Sequence, residues 1–226
     1  PIVLVLFNGR PMTLTWEDEN MDAILDVWHP GTEAGNAVAD LLFGEVNPSG
    51  KLTTSFPVSV GQIPVYHSML NTGRPYEQGK GPKFLSNYLD IPNEPLYPFG
   101  YGLSYTQFEY GTPTISRTEM EKGGKVTVSV SVKNTGKREG QEVVQLYIRD
   151  VVGSISRPVK ELKGFEKRSL KPGEEKTVRF AIDESLLEFY NYDGEWVVEP
   201  GEFQVFVGPN SRDVQMLKFE YTKTKQ

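Results

Sequence analysis

Val126-Thr127-Val128-Ser129-Val130-Ser131-Val132 places a valine at every second position and a small hydroxyl residue between each pair. Successive side chains of an extended strand point to opposite faces. The run therefore reads as a strand with one face in a core and the other in water. Working outward, the pattern recurs. Glu142 to Ile148, Lys160 to Phe165, Thr177 to Ile182, Trp196 to Val198, Phe203 to Val207 and Met216 to Tyr221 are further strand candidates. Asn134-Thr135-Gly136, Lys171-Pro172-Gly173, Tyr192-Asp193-Gly194 and Glu199-Pro200-Gly201 supply turns between them. About seven short strands in roughly 110 residues predict an all-β, immunoglobulin-like sandwich over 108–226. Tyr147, Tyr190, Trp196 and Phe203 are assigned to its core and inter-sheet packing, in preference to a carbohydrate platform.

Upstream the rhythm differs. Ile2 to Phe7 is a continuous apolar run, as in a parallel strand covered on both faces. Asn8-Gly9-Arg10-Pro11 breaks it, and Ala23 to Trp28 reads as a second short strand, with a helix as the alternative. Ala34, Ala37, Val38, Leu41 and Leu42 form one helical stripe. Thr32 is the expected N-cap, Glu33 falls in the first turn, and Gly44 is the expected terminating glycine. After the turn Asn47-Pro48-Ser49-Gly50, Lys51 to Phe56 is predicted to be another strand. Strand–helix–strand alternation marks residues 1–60 as α/β. Residues 61–107, rich in Pro, Gly and aromatics, hold no period and read as an irregular connecting segment.

Composition bounds the chemistry. Of 226 residues, 38% are hydrophobic and the formal net charge is −6. Residues 1–110 carry 5 basic and 12 acidic side chains, and residues 111–226 carry 19 and 18. Neither half has the basic excess that nucleic-acid binding requires. Cys is absent, which excludes disulfides and thiolate metal sites. No apolar run reaches the ~18 residues of a membrane-spanning helix. The opening strand has neither Met nor a charged leader before it, so the chain is expected to be a fragment or a processed product. Its sheet is expected to be partly open, or rearranged in a dimer.

Several blocks in collinear order carry a resemblance. They are Leu6-Phe7-Asn8-Gly9-Arg10-Pro11, Trp28-His29-Pro30-Gly31-Thr32-Glu33, Ala39-Asp40-Leu41-Leu42-Phe43-Gly44, Asn47-Pro48-Ser49-Gly50-Lys51-Leu52 with Phe56-Pro57, and Tyr97-Pro98-Phe99-Gly100-Tyr101-Gly102-Leu103-Ser104-Tyr105. Together they resemble glycoside hydrolase family 3. Asn134-Thr135-Gly136, the Arg157-Pro158 to Gly164-Phe165 stretch and Leu170-Lys171-Pro172-Gly173-Glu174 resemble the fibronectin-III-like domain that ends many members. Leu70-Asn71-Thr72-Gly73-Arg74-Pro75-Tyr76 is similar to the periplasmic bacterial β-glucosidases.

The resemblance implies an α/β partial sandwich domain followed by the β-sandwich, both C-terminal to a barrel. It implies a retaining β-glucosidase acting on terminal non-reducing β-D-glucosyl residues of oligosaccharides, periplasmic or secreted, with no cofactor. Retaining enzymes use two carboxyl groups about 5–5.5 Å apart. In the family these lie upstream of Pro1, so no catalytic residue is assigned here and the isolated chain is expected to be inactive. The competing reading is a free-standing carbohydrate-binding or structural module.

Within the chain, Arg74 and Tyr76 are the substrate-binding candidates, a guanidinium fork for hydroxyls and an aromatic face for a sugar ring. Packing of their loop against the barrel uses the same residue types and is weighted above it. Glu33 reads as a cap or hydrogen-bond acceptor rather than an acid catalyst, and Asp40 as solvated. Glu17-Asp18-Glu19 reads as an exposed acidic face rather than a metal site. His29 and His67 read first as hydrogen-bonded structural histidines.

Overall fold

The computed structural model describes residues 1–75 and 84–223. The first part comprises β1 (Val3–Leu6), α1 (Thr15–Asn20), β2 (Ala23–Asp26) and α2 (Ala34–Leu42). β1 and β2 pair in parallel, Val3 opposite Ala23 and Leu6 opposite Asp26. Among the described residues no third strand joins this sheet, so it is open at both edges. The apolar run of β1 is only partly covered here, and its flanks Ile2 and Phe7 are exposed.

α2 forms where the apolar stripe places it, and its end follows the glycine rule. Gly44 adopts φ +79, its N–H reaching Leu41 O at 3.1 Å. The start differs from expectation. Glu33, not Thr32, is the N-cap, and its carboxylate accepts from Asn36 Nδ2 at 2.7 Å without capping a backbone N–H. Asp40 is exposed, as expected.

Lys51 to Phe56 is not a regular strand. Leu52 exchanges backbone bonds with Gly100 and Tyr101, and Phe56 bridges Tyr97, but a bend separates the two contacts. This irregular stretch is organised by amide side chains instead. Gln62 is fully buried, its Nε2 donating to Pro92 O, Asn93 O and Glu94 O while Oε1 accepts from Val58 N. Asn47 Oδ1 accepts from Ser104 Oγ and Tyr105 N, and its Nδ2 donates to Glu139 O. Buried backbone groups need partners, and here side-chain amides supply what a sheet ladder would.

The second part adds β3 (Phe108–Tyr110), β4 (Thr114–Ile115), β5 (Glu119–Glu121), β6 (Val126–Asn134), β7 (Gly140–Asp150), β8 (Glu161–Leu170), β9 (Glu175–Ile182), β10 (Phe189–Tyr190), β11 (Trp196–Val197), β12 (Gly201–Gly208) and β13 (Gln215–Thr222). One sheet runs β5-β13-β12-β7-β8. The other runs β3-β6-β4, with β9 along the opposite side of β6. Val126, Val128, Val130 and Val132 are all buried and face Val144, Leu146, Val205 and Phe219 in one core. The alternation in β6 is thus realised as a sandwich interior.

Two aromatic assignments change. Tyr147 and Phe203 are core residues, but Tyr190 and Trp196 are exposed on the small β10–β11 hairpin, ring centroids 4.5 Å apart. Their ribbon buries its other face, where Phe189 is 3% exposed, and strand alternation leaves the paired Tyr190 and Trp196 on the outer face.

The two parts are joined by polar contacts on β7. Lys51 Nζ lies 3.2 Å from Glu142 Oε2, and within the second part Tyr110 Oη donates to Glu142 Oε1 at 2.8 Å. Gln145 Nε2 donates to Gly100 O and Pro209 O.

Candidate functional site

Arg74 lies on an exposed loop that is anchored to the sandwich. Val159 N donates to Met69 O at 2.9 Å, and Leu70 bridges Pro158. The loop then folds against its own return limb. Thr72 and Ser86 hydroxyls are 2.8 Å apart, and Ser86 N donates to Arg74 O at 2.8 Å. The Arg74 guanidinium lies 5.8 Å from the Phe84 ring centre, within cation–π range. Phe84 is largely exposed and adopts φ +69, a region that bulky side chains rarely occupy. A cation beside an exposed aromatic is a composition that can bracket a sugar ring. The sequence reading missed Phe84, and its only signal was its place in an aromatic-rich segment. Tyr76, the second candidate, lies outside the described residues.

A second group gathers at the carboxyl ends of β1 and β2. Asn8 follows β1, Asp26 closes β2, and Trp28 takes φ +52. The His29 ring presses on Gly9, where a Cβ would sit 2.8 Å from Nε2. Asp26 Oδ1 accepts a long 3.4 Å bond from Trp28 N, and burial raises the Asp26 pKa above the usual carboxylate value.

Trp28 opens an aromatic chain, edge-on to Phe56 at 6.0 Å, with Phe56 tilted on Tyr97 and Tyr97 stacked on Tyr101 at 5.4 Å. Tyr97 Oη donates to Asp18 Oδ1 at 2.7 Å. Asp18 is therefore a structural acceptor as well as part of an acidic face. Burial, then that hydrogen bond, pushes the Tyr97 hydroxyl pKa up.

His67 is held by rings, stacked 4.2 Å from Phe99 and edge-on to Tyr147 at 5.6 Å. Burial, with the Lys160 charge adding to it, lowers its pKa. Among the described residues no group of three or more His, Asp or Glu side chains is arranged to hold a metal ion.

Residues 1–105 match the model of the glycosyl hydrolase family 3 C-terminal domain, and residues 142–211 match that of the fibronectin type III-like domain. The chain belongs to glycoside hydrolase family 3. It is 60% identical over 220 residues to the periplasmic beta-glucosidase of Salmonella typhimurium, covering 97% of this chain and 29% of that protein. It is 48% identical to a beta-xylosidase of Formosa agariphila, covering 94% of this chain and 28% of that protein. In structure it is similar to the beta-glucosidase of Listeria innocua solved with isofagomine. There the TM-score is 0.92 at 52% identity, over 98% of this chain and 31% of that one. The chain thus spans about three tenths of the length of these family 3 relatives. Among its described residues no helix is long and apolar enough to cross a membrane.

Proposed function

We propose that these 226 residues are the C-terminal portion of a retaining β-glucosidase that removes terminal non-reducing β-D-glucosyl residues from oligosaccharides in the periplasm or outside the cell. The observation that carries this reading is the 60% identity, across almost the whole chain, to a protein named periplasmic beta-glucosidase. In this reading the two carboxyl groups belong to a preceding barrel, and the present residues shape and stabilise the enzyme. Residues 1–60 complete the α/β domain, 61–107 connect, and 108–226 form the fibronectin-III-like domain.

The distribution of exposed apolar residues supports a docking role for the first part. Phe43 and Leu103 are 85% and 72% exposed, whereas the sandwich core is closed. Exposed apolar surface of this kind marks a contact face. Arg74, with Tyr76, borders the substrate entrance in this reading.

The test uses the full-length parent enzyme. Arg74→Ala is expected to raise KM for a β-linked glucose disaccharide several-fold with little change in kcat. An unchanged KM with a lower melting temperature would assign Arg74 to packing. Because one relative is named a beta-xylosidase, kcat/KM is compared on aryl β-glucoside and aryl β-xyloside. A preference for the xyloside would overturn the glucosidase reading.

A further inference from the structure

The chain leaves β7 at Asp150 and returns as β8 at Glu161. The connector between them has no strand or helix of its own, and one side chain ties it down. Arg157 Nε lies 3.7 Å from Asp150 Oδ2, and Arg157 Nη2 donates to Glu161 Oε2 at 3.0 Å. The same guanidinium sits over the Phe189 ring, 4.4 Å from its centre, within cation–π range. One planar fork thus joins the last residue of β7, the first of β8 and the β10 ribbon. A lysine, with a single compact ammonium, could not hold all three. The Arg157 and Asp150 side chains are 12% and 5% exposed, so their attraction is little screened by salt. Nε and Oδ2 stand beyond hydrogen-bond reach, and neither atom has another partner among the described residues, so each depends on the charge of the other.

The two residues that follow carry the contact with the Arg74 loop. Pro158 bridges Leu70, and Val159 N donates to Met69 O. The proline ring fixes the backbone angle at 158, and a residue before proline is confined to extended conformations. The peptide between Arg157 and Val159 therefore has little freedom to absorb a shift of the guanidinium. Beyond Leu70 the loop is stiff as well. Arg74 N donates to Thr72 Oγ1 at 3.3 Å, Thr72 meets the Ser86 hydroxyl, and Ser86 N donates to Arg74 O. A continuous chain of contacts runs from Phe189 through Arg157 and Val159 to Arg74.

We propose that Arg157 is a positioning residue for the Arg74 loop, so that the fibronectin-III-like domain sets where that loop stands at the substrate entrance. This rests on the reading of Arg74 as bordering the entrance. Without the fork, the connector is no longer tied at both ends, Asp150 is left buried without its counter-charge, and the 69–74 loop loses a fixed seat.

The experiment compares the full-length parent with its Arg157→Met and Val130→Ala variants. Val130 is a core residue of the sandwich, 2% exposed, and its truncation weakens that domain without altering the fork. Amide hydrogen exchange is read at the peptides carrying Val159 and Ser86, whose N–H groups bond to the loop. KM and kcat are measured on a β-linked glucose disaccharide. Arg157→Met is expected to speed exchange at both peptides about tenfold, the scale of one weakened hydrogen bond, and to raise KM several-fold with kcat nearly unchanged. Val130→Ala is expected to lower the melting temperature and leave both readouts as in wild type. Unchanged exchange in Arg157→Met would overturn the proposal. So would an equal response in Val130→Ala, because general loosening would then suffice, and so would faster exchange with an unchanged KM. Arg74→Ala separates the two failures. If it raises KM and Arg157→Met does not, the positioning role alone falls; if neither raises KM, the reading of the loop falls with it. Should Arg157→Met fail to fold, Arg157→Lys, which keeps a charge beside Asp150 but loses the fork, takes its place with the same expected outcomes.

Discussion

The Lys51–Glu142 pair is one of several contacts that join the two parts, and removing Lys51 gives a quantitative test. The two side chains are 14% and 4% exposed. Glu142 takes one further bond, from Tyr110 Oη, and Lys51 Nζ also donates to Gly102 O at 3.0 Å. Lys51→Met preserves the apolar stem but strands a buried carboxylate with one neutral donor. Breaking one partner of a buried pair costs about 3–5 kcal/mol. At roughly 2–4 °C per kcal/mol for a chain of this size, the midpoint should fall by about 10 °C. Urea titration followed by tryptophan fluorescence separates the parts, since Trp16 and Trp28 report on the first and Trp196 on the sandwich. The expected result is an earlier transition in the Trp16/Trp28 signal. Lys51→Met combined with Glu142→Leu should regain most of the loss, because no charge is then left unpaired. A single-variant cost below about 1 kcal/mol, the range of exposed pairs, would refute the reasoning.

Two further outcomes are expected. Gly100 has φ +81, and a Cβ there would fall 2.0 Å from Gln145 Oε1. Gly100→Ala should therefore cost about 3 kcal/mol, combining left-handed strain with displacement of a bonded buried amide, as read from denaturant midpoints. His67 has its folded pKa lowered from 6.5, so its contribution to stability is complete above that value and is lost as pH falls through the window beneath it. His67→Phe keeps a ring against Phe99 and removes the titration. Melting temperatures measured from pH 7 down to about pH 5 should fall less for the variant than for wild type, and parallel curves would exclude His67 as the cause.

The sandwich was legible because its signal is local. Each of β6, β7, β9, β12 and β13 overlaps a predicted strand, and the period-two pattern needs no knowledge of neighbours. Residues 61–107 are irregular as read, but what organises them was not legible, because Gln62, Asn47 and Asn134 do so through bonds to residues tens of positions away. Lys51 to Phe56 looked like a strand for a related reason, since its composition is extended-friendly but its partner 97–101 matches it at only two places. Tyr190 and Trp196 were assigned to the core because aromatic residues suit it, and only the topology shows that their hairpin lies outside both sheets. Of the candidate site, Arg74 was visible by chemistry. Its neighbour Phe84 was not, and the Asn8–Asp26 cluster required the parallel register of β1 and β2 before its members could be seen together.

The buried amides also limit how this protein can age. Asn134 Oδ1 accepts from Thr106 Oγ1 and Gly136 N, and its Nδ2 donates to Arg138 O and Leu170 O. Gln62 and Gln145 are committed in the same way. Hydrolysis of any of these amides would set a negative charge against backbone carbonyls and undo the site it once held together. Asn and Gln are among the thermolabile residues depleted in heat-adapted proteins. A version of this fold working at high temperature cannot simply exchange them for Asp or Glu, and must instead keep them too rigid to react.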